Sequence, residues 1–427
     1  MMYSKRMRDV VQSILDFNTG FDAKSLNFKL QAITESPFAF FRSTFHLFAS
    51  DLLAGPFHKL PVGPSKGRIV ADLHTENFGG FRAVDGELVY DINDFDDTAV
   101  NQPYEYDLRR LLTSIILGGM ENGLRIGDAV NACETTARQY FAALATYGAG
   151  KRREDLAALR EASVVRRLLQ VAAEKPRGAF MKALAEPGPK SRYEFKSGNQ
   201  SLRPVTGKVR AEAEKRFPFF LAHCTAPKGA HANQYVFEDA VFRYAGKGSL
   251  GKNRYAILMR KGKADKEDYN ALRLVEWKDS SDSPLTASGG GNTRKEGKNR
   301  NRDVYQATLS FQLKPKRYIG YLPFLGFPMQ AREIGANDCR FSHKQYRTAE
   351  KLAQAAAVFG GITARAHLLA SMGQQGPRKF VKASGVTEDQ LVHRLIAFAT
   401  SYSSRVHEDF EEVKRRRGEI AKAWKVG

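Results

Sequence analysis

Hydrophobic residues recur along this chain with two different periods, and each period predicts a different kind of element. Apolar positions three or four residues apart predict helices near both ends of the chain and in a middle block. We expect helices over residues 5–17, 24–33, 38–53, 126–147, 151–185, 208–217, 303–311, 346–372, 387–400 and 405–424. A further helix should have one apolar stripe, made of Leu108, Leu111, Leu112, Ile115 and Ile116. The helix over 38–53 is rich in phenylalanine and should face the core. Arg42 stands within it and is expected to pair with a carboxylate or to contact a phosphate.

Alternation of apolar and polar residues predicts strands in two other regions. In the first region, a short strand at Ile69 and Val70 ends before Asp72, and two short strands at 81–84 and 87–92 flank Asp85-Gly86. Asp-Gly between two alternating segments is a strong signal for a two-residue β-hairpin turn. In the second region we expect strands over residues 235–242, 254–259, 271–277, 317–322 and 327–333.

Acidic and amide residues stand at the ends of the predicted hairpin. Asn77 precedes its first strand and Asp94 follows its second strand, so both should lie at one end. Carboxylate and amide oxygens suit Mg²⁺ when waters and phosphate oxygens complete its coordination. Asp72 stands at the mouth of the same loop, where a carboxylate could orient a hydroxyl and accept its proton. We therefore predict a cation site here, although acidic residues after a hairpin are also common turn formers and helix caps.

The order of these residues is that of a kinase catalytic loop followed by its metal-binding turn. The chain reads Asp72-Leu73-His74-Thr75-Glu76-Asn77 and, after the hairpin, Asp94-Phe95-Asp96. Asp-Leu-His-x-x-Asn resembles the variant found in aminoglycoside and choline kinases. Those kinases also carry an aspartate at the head of the next helix, where Asp107 stands here. The resemblance implies that His74 and Asp107 support the loop by hydrogen bonding.

A glycine-rich segment joins the first two strands of the second region. It carries Gly246, Gly248, Ser249 and Gly251 in a G-x-G-x-x-G pattern. In kinases, the backbone amides of such a segment cover the phosphates of the nucleotide. By itself the pattern is more simply a hairpin with a glycine-rich turn. A dinucleotide-binding site is disfavoured because a strand follows the glycines, where that site requires a helix.

Lys278 lies at the end of the third strand of this region, where kinases carry a lysine that pairs with the α- and β-phosphates. Without the other motifs, it would be interpreted as an exposed lysine at a strand end. Kinases pair this lysine with a glutamate from a nearby helix, but the helix over 303–311 offers only Gln306. Glu276 could share the face of Lys278, so the partner stays open. Glu333 lies in a segment that could receive an adenine.

The motifs occur in a rotated order relative to a kinase, with the catalytic loop first and Lys278 later. The helix over 346–372 is similar to the one that precedes the catalytic loop in small-molecule kinases. We therefore predict an α+β, protein-kinase-like, two-lobed fold that is circularly permuted, which exposed termini permit. Residues 1–230 should form a helical catalytic lobe and 231–335 a small antiparallel-sheet lobe with the nucleotide site. Residues 336–427 should form helices that return to the catalytic lobe.

Composition and net charge limit the cellular compartments and the binding partners that we expect. The chain of 427 residues is long enough for two or three domains. No apolar run is long enough to span a membrane, and the first residues lack the apolar core and the cleavage site of a signal peptide. Three scattered cysteines form neither a disulfide framework nor a metal site, so we expect a cytoplasmic protein. The net charge of +21 would allow non-specific binding to nucleic acid. A solvated basic surface is preferred, because no nucleic-acid-binding module is recognisable.

Six segments together resemble a bacterial family known as domain of unknown function 2252. They are SPFAFFRS (36–43), DLHTENFG (72–79), DINDFDD (91–97), YDLRRL (106–111), GKGSLG (246–251) and EWKD (276–279). The usual glycine of the family before the first aspartate is Ala71 here. The family is uncharacterised, so the resemblance implies a kinase-like architecture and no particular substrate.

These observations predict a phosphotransferase that depends on ATP and Mg²⁺ and acts on a hydroxyl of an unidentified small molecule or protein. Asp72 would deprotonate the hydroxyl, Asn77 and Asp94 would hold Mg²⁺, and the glycine-rich segment with Lys278 would hold the phosphates. Three other functions stay open. They are a catalytically silent nucleotide-binding module, a metal-dependent phosphoesterase that uses Asp72, His74, Asp94 and Asp96, and a nucleic-acid-binding protein.

Overall fold

The computed structural model describes residues 9–55, 57, 60–147, 163–189, 192–226, 234–245, 251–262, 267–286, 299–371 and 376–426. The helices are α1 (Val10–Phe17), α2 (Ala23–Glu35), α3 (Pro37–Ser43), α4 (Phe45–Leu53), α5 (Glu105–Glu121), α6 (Ile126–Tyr147), α7 (Ser163–Ala173), α8 (Arg177–Leu184), α9 (Gly207–Ala222), α10 (Arg300–Phe311), α11 (Ala349–Ala370), α12 (Phe380–Ser384), α13 (Glu388–Arg415) and α14 (Arg417–Trp424). The strands are β1 (Lys66–Ile69), β2 (Phe78–Arg82), β3 (Leu88–Ile92), β4 (Ala99–Pro103), β5 (Ala185–Pro187), β6 (Tyr193–Phe195), β7 (Leu202–Pro204), β8 (Tyr235–Arg243), β9 (Arg254–Lys261), β10 (Leu272–Asp279), β11 (Gly320–Phe324), β12 (Phe327–Glu333) and β13 (Cys339–Arg340). The predicted α+β class is confirmed, and the architecture is compatible with two lobes.

A six-stranded antiparallel sheet has the strand order β11-β12-β10-β9-β8-β7. Strands β8, β9 and β10 follow one another along the chain and pair as neighbours, as short connections favour for antiparallel strands. One face of the sheet is apolar. There Trp277 packs against Phe324 and against Phe220 of α9, and the sheet and this helix share one hydrophobic cluster.

The opposite face of this sheet is polar at the end that carries Lys278, while its other end, with Leu258 and Leu274, lies in a separate hydrophobic cluster. Lys278 of β10 lies in register with Arg254 of β9 and Gln330 of β12, and Glu276 lies in register with Arg332 of β12. Because alternate residues of a strand share a face, these five side chains lie on one surface. Buried charges are costly unless they are paired, so the partners of these residues define where the sheet meets the rest of the protein.

The helices from the two ends of the chain share one large core. α5 packs against α6 and α13, and α11 packs against α6. The apolar stripe that the sequence predicts on α5 is fully buried, at Leu108, Leu111, Leu112, Ile115 and Ile116. In the ranges that the structure describes, no helix is long and apolar enough to cross a membrane.

A buried carboxylate ties β1 to two helices. Asp107 of α5 accepts a hydrogen bond from the Val70 N–H on Oδ2 at 2.8 Å and one from the Ala71 N–H on Oδ1 at 2.7 Å. His367, near the end of α11, lies 3.0 Å from Asp107 Oδ2 through its Nε2. The hydroxyl of Tyr140 lies 2.9 Å from the other nitrogen of this imidazole. Asp107 therefore fixes the backbone that leads into Asp72.

Ala71 adopts a backbone conformation that favours glycine. Its φ is +74°, in the left-handed region, and the residue is fully buried. The hydrogen bond from its N–H to Asp107 helps to hold it there. A strained backbone of this kind immediately before Asp72 is the type of feature that concentrates at functional sites.

The helix boundaries predicted near residue 44 and between residues 400 and 405 differ from those in the structure. A single helix over 38–53 is wrong, because Thr44 leaves helical geometry with φ −129° and ψ 41° and separates α3 from α4. The break predicted between 400 and 405 is also wrong, since α13 runs without interruption from Glu388 to Arg415. Strand β4, which pairs with β1, has no counterpart among the predicted elements.

We expect Asp107→Asn to destabilise the fold. Each carboxylate oxygen accepts a hydrogen bond from a different buried N–H, so the new amide NH₂ would face one of these donors. An unpaired buried donor costs about 1–3 kcal/mol, and urea unfolding should show a loss of that size in the free energy of unfolding. Asp389→Asn is the control, because its side chain is 69% exposed. An equal loss in both variants would contradict the role of Asp107.

Candidate functional site

The hairpin β2–β3 brings the two predicted metal ligands to one end. Phe78 pairs with Ile92 in the hairpin register, and the Asn93 N–H donates to the Asn77 carbonyl at 2.9 Å. Asn77 and Asp94 therefore leave the two strands side by side, as the sequence predicts. The turn at the far end of the hairpin has Gly86 at φ +87°, a conformation that glycine adopts without strain.

Asp94 is a carboxylate surrounded by positive charge. Its Oδ1 is buried and lacks a hydrogen-bond partner in the described part of the chain, and the nearest ion-pair atom, Arg332 Nη1, lies 3.9 Å away. Burial by itself would raise the pKa of this carboxyl, but Lys278, Arg332 and Arg340 outweigh it. These cations hold the pKa of Asp94 well below its usual range, so the group is ionised.

Lys278 reaches the acidic hairpin from the sheet. Its ammonium forms an ion pair with Asp96 Oδ2, and its side chain is only 2% exposed. Gln330, the cross-strand neighbour of Lys278, donates a hydrogen bond to the other oxygen of Asp96. Burial lowers the pKa of Lys278 to about 7, against the opposing attraction of Asp94. The partner left open by the sequence is therefore Asp96 of the hairpin.

Glu276, which the sequence offers as a possible partner of Lys278, binds arginines instead. It is fully buried and binds three arginines, with 2.8 Å to Arg254 Nη1, 3.2 Å to Arg332 Nε and a short contact to Arg243. Burial would raise the pKa of Glu276, but these guanidinium groups hold it well below the usual range. Glu276 therefore positions arginines on the polar face of the sheet.

Asp72 is held by an arginine that the sequence analysis did not single out. Arg110 of α5 binds Asp72 Oδ1 through Nη2 at 2.6 Å and Nε at 2.8 Å. The guanidinium is fully buried and lies 3.6 Å from the centre of the Phe41 ring. Burial raises the pKa of Asp72 to about 7, and the charge of Arg110 opposes that rise. A carboxylate that titrates near neutral pH is suited to accept a proton.

His74 and Arg42 lie beside Asp72. Arg42 Nε lies 3.3 Å from His74 Nε2, and Arg42 also binds Glu76 at 2.5 Å, as expected for an arginine that pairs with a carboxylate. Burial lowers the pKa of His74 well below its usual value, and the positive charge of Arg42 lowers it further. The imidazole is therefore neutral and positions Arg42 instead of acting as a cation.

Lys29 is a second residue that the sequence analysis did not identify. It is 1% exposed and donates to the carbonyl of Ser43, and the charges of Asp72 and Asp97 both act on it. Burial lowers the pKa of Lys29 to about 8. A signal for it was present, because Lys29 lies on the same helical stripe as Leu26 and Ile33, where a cation is unexpected.

The structure describes only the last residue of the predicted phosphate-covering segment, Gly251. Gly246, Gly248 and Ser249 lie outside the described residues, so their role stays a prediction. Gly251 is described and has φ +90°, and a Cβ built there would lie 2.2 Å from the Phe21 ring. Glycine is therefore required at this end of the segment for both conformation and space.

Glu333 is buried at the end of β12 and binds Arg317 at 2.9 Å. The backbone N–H groups of Glu333, Ile334 and Gly335 donate within the protein, to Arg317, Leu274 and Asp338 respectively. The side chain of Glu333 is therefore engaged, and its contact with an adenine stays a prediction.

The oxygens at the hairpin end are of the chemical type that binds Mg²⁺ together with phosphate. Asp94 Oδ1 is buried and accepts no hydrogen bond from the residues that the structure describes. Asn77 Oδ1 accepts one bond, from the His74 N–H at 2.6 Å, which leaves a second lone pair. Among the residues placed by the structure, no three or more His, Cys, Asp or Glu side chains are grouped to hold a metal. Two protein ligands completed by waters and substrate phosphates are the usual arrangement for Mg²⁺.

Comparison with known proteins places the chain in a family. No curated protein and no solved structure matches it. A family model described as an uncharacterized protein conserved in bacteria matches residues 22–416, which is most of the chain. The chain therefore belongs to this bacterial family, DUF2252.

Proposed function

We propose that this protein is a phosphotransferase that uses ATP and Mg²⁺ to phosphorylate a hydroxyl group. The observation that carries the proposal is the ion pair between Lys278 and Asp96, beside Asp94. It brings a lysine of the type that binds phosphates to an acidic hairpin of the type that binds Mg²⁺. The two segments lie far apart in the sequence, so no local pattern requires them to meet.

Further contacts support a kinase-like arrangement of the elements. Lys278 lies on the last of the consecutive strands β8, β9 and β10, and helix α10 follows before β11. Phe95, which follows Asp94, stacks on Phe311 of α10 with ring centroids 5.3 Å apart. In kinases, the packing of the phenylalanine after the metal-binding aspartate separates active from inactive states.

The permuted order is supported by the contact between α11 and the loop that leads to Asp72. His367 near the end of α11 binds Asp107, and Asp107 binds the backbone of Val70 and Ala71. A helix that precedes the catalytic loop along the chain in small-molecule kinases would thus precede it in space here. Permutation needs only that the joined ends lie close together and that the new termini are exposed.

Each residue would have a defined role in the transfer. Asp72 would accept the proton of the acceptor hydroxyl while that oxygen bonds to the terminal phosphorus and ADP leaves. Asn77 and Asp94 would hold Mg²⁺, which when bound neutralises charge on the phosphate oxygens. Lys278 would exchange Asp96 for the phosphates, and the glycine-rich segment would cover them. The basic surface has no role in this scheme.

A catalytically silent nucleotide-binding module is the second candidate, and two ion pairs favour it. Asp72 is bound to Arg110 and Lys278 is bound to Asp96, so both groups needed for transfer have partners within the protein. A phosphoesterase is not favoured, because Asp72 and Asp96 are held by different cations and do not form one cluster of ligands with His74 and Asp94.

Asp94→Ala should abolish Mg²⁺-dependent ATP turnover while the protein stays folded. Loss of an electrostatic contact to the transferring group costs roughly 10²–10³-fold in rate. Phosphate release and circular dichroism would be measured together. Asp85→Ala, at the turn of the same hairpin, is the matched control and should keep wild-type turnover, because Asp85 pairs with Lys314 at 2.8 Å away from the site. Intact turnover in Asp94→Ala would refute the metal assignment.

Lys278→Met should separate a kinase from a phosphoesterase. The methionine keeps the length of the side chain but loses the charge, so ATP turnover should fall by roughly 10²-fold or more. Hydrolysis of a simple phosphate ester would be assayed in parallel. Lys261→Met, at the exposed end of the neighbouring strand β9, serves as the control. Unchanged activity towards both substrates in Lys278→Met would exclude the phosphate-binding role.

The pH dependence of kcat/KM should report Asp72. Its pKa is raised to about 7, so the base is protonated below that value and the rate should fall about tenfold for each pH unit below it. Arg42 lowers the pKa of Asp72, so Arg42→Gln should move the midpoint to higher pH. Arg125→Gln, at a side chain 88% exposed, should leave it in place. A flat profile, or a shift to lower pH in Arg42→Gln, would contradict Asp72 as the base.

A further inference from the structure

We propose that the protein binds a polyphosphate chain beside Asp94, directly through Arg332, Arg340 and Lys278, and that Mg²⁺ enters only together with the phosphates. As far as ATP is the source of that chain, the inference rests on the proposed function. The same chemistry would recognise the triphosphate tail of a nucleotide or free inorganic tripolyphosphate. The three cations are named here as a phosphate cradle.

The charges around Asp94 carry the first step. Lys278, Arg332, Arg340 and Arg254 all act on its carboxylate. Lys278 is paired with Asp96, and Arg332 and Arg254 are paired with Glu276. A bare Mg²⁺ at Asp94 would have to approach this group of cations, at separations where like charges repel strongly in a partly buried site. A polyphosphate anion would instead be attracted to it. The surroundings of Asp94 therefore favour the anion before the metal.

Arg340 is the exposed cation of the cradle. It lies on β13 opposite Gly79, so its backbone is fixed against the first strand of the acidic hairpin. Among the residues that the structure describes, its guanidinium has neither a hydrogen bond nor an ion pair, and the side chain is exposed. The charges that act on it include Arg332 and Arg42 as well as Asp94. Arg332 is paired with Glu276 and Arg42 is paired with Glu76, whereas Arg340 has no ion-pair partner among the described residues, so its charge is available to an anion.

Arg332 is oriented for the same anion. Its Nε donates to Glu276 Oε2 and its Nη1 donates to the Asn93 carbonyl, both at 3.2 Å. These contacts bridge the sheet and the end of the hairpin, and they fix the guanidinium beside Asp94. A phosphate-binding arginine held in place by buried partners loses little conformational freedom when its ligand binds.

A close approach of β13 to β2 places Arg340 beside the hairpin. A Cβ built on Gly79 would lie 2.2 Å from the Cys339 carbonyl and 2.7 Å from Asn93 Nδ2. Gly79 therefore lets β13 approach β2 closely enough to place Arg340 beside the hairpin. The sequence shows this glycine only as part of a motif, but the structure gives it a steric reason.

The test is isothermal titration calorimetry of the full-length protein. Sodium tripolyphosphate is titrated into protein in EDTA, and MgCl₂ is titrated separately into metal-free protein in buffer without EDTA. Tripolyphosphate should bind without metal, and MgCl₂ alone should give no binding heat. Arg340→Gln should weaken tripolyphosphate binding at least tenfold. Arg125→Gln removes the same charge from an exposed helix end and should change the affinity less than twofold. Thermal melting of each variant checks that it is folded.

Asp94→Asn should change the affinity for tripolyphosphate in the opposite direction from Arg340→Gln. Removing this negative charge should tighten tripolyphosphate binding in EDTA severalfold and should also remove any gain in affinity that Mg²⁺ brings. Weaker metal-free binding in Asp94→Asn, binding of Mg²⁺ alone, or unchanged binding in Arg340→Gln would each overturn the inference.

The source of the phosphate chain and the proposed function are tested separately. ATP that binds at least tenfold more tightly than tripolyphosphate indicates a nucleotide, and equal affinities indicate a free polyphosphate. If the cradle behaves as expected but no ATP turnover depends on Asp94, the proposed function fails and the cradle stands. If turnover depends on Asp94 but Arg340→Gln binds tripolyphosphate normally, only the cradle fails.

Discussion

The contact between Lys278 and Asp96 is the constraint on which the geometry of the site depends. A buried ammonium group needs a partner, and here that partner is Asp96, which follows hairpin β2–β3 and is remote from Lys278 in the sequence. The ion pair holds the polar face of the sheet against the ends of β2 and β3. Asp94 and Arg332 lie 3.9 Å apart beside this contact, so the proposed metal ligand and the proposed phosphate-binding cations lie at the same end of the hairpin.

The buried charges of this protein are better explained by position than by stability. A buried ion pair contributes little net stability, since desolvation offsets most of its attraction. Yet Arg110 binds Asp72, three arginines bind Glu276, and Asp107 binds the backbone before Asp72. Each of these contacts holds a residue of the candidate site, or the backbone next to one, in a fixed position. Ala71, held at φ +74° directly before Asp72, adds strain at the same place.

Local features of the fold could be predicted from the sequence because neighbouring residues determine them. The hairpin around Asp85-Gly86, the stripe on α5 and the strand with Lys278 all follow from period and turn chemistry, and the structure contains each of them. The break at Thr44 could not be predicted, because the apolar pattern runs through it. Strand β4 is short and mixed in polarity, so its pairing with β1 is visible only in three dimensions.

The site could be predicted only in part. Asn77 and Asp94 meet through one hairpin, and a local pattern suffices for that. The partner of Lys278 could not be found, since Asp96 is remote in sequence and looked like a turn former. Lys29 lies on an apolar helical stripe, which indicates that it has a partner, whereas Arg110 lies off the apolar stripe of α5. The sequence does not show which carboxylates either residue faces.

An experimental structure of the protein with Mg²⁺ and a non-hydrolysable ATP analogue tests the central claim most directly. The account predicts that the phosphates lie between Lys278 and Asp94, with Lys278 released from Asp96 and a metal ion bound to Asp94. Occupation of a different site by the analogue at saturating concentration, with the ion pair between Lys278 and Asp96 intact, would contradict it.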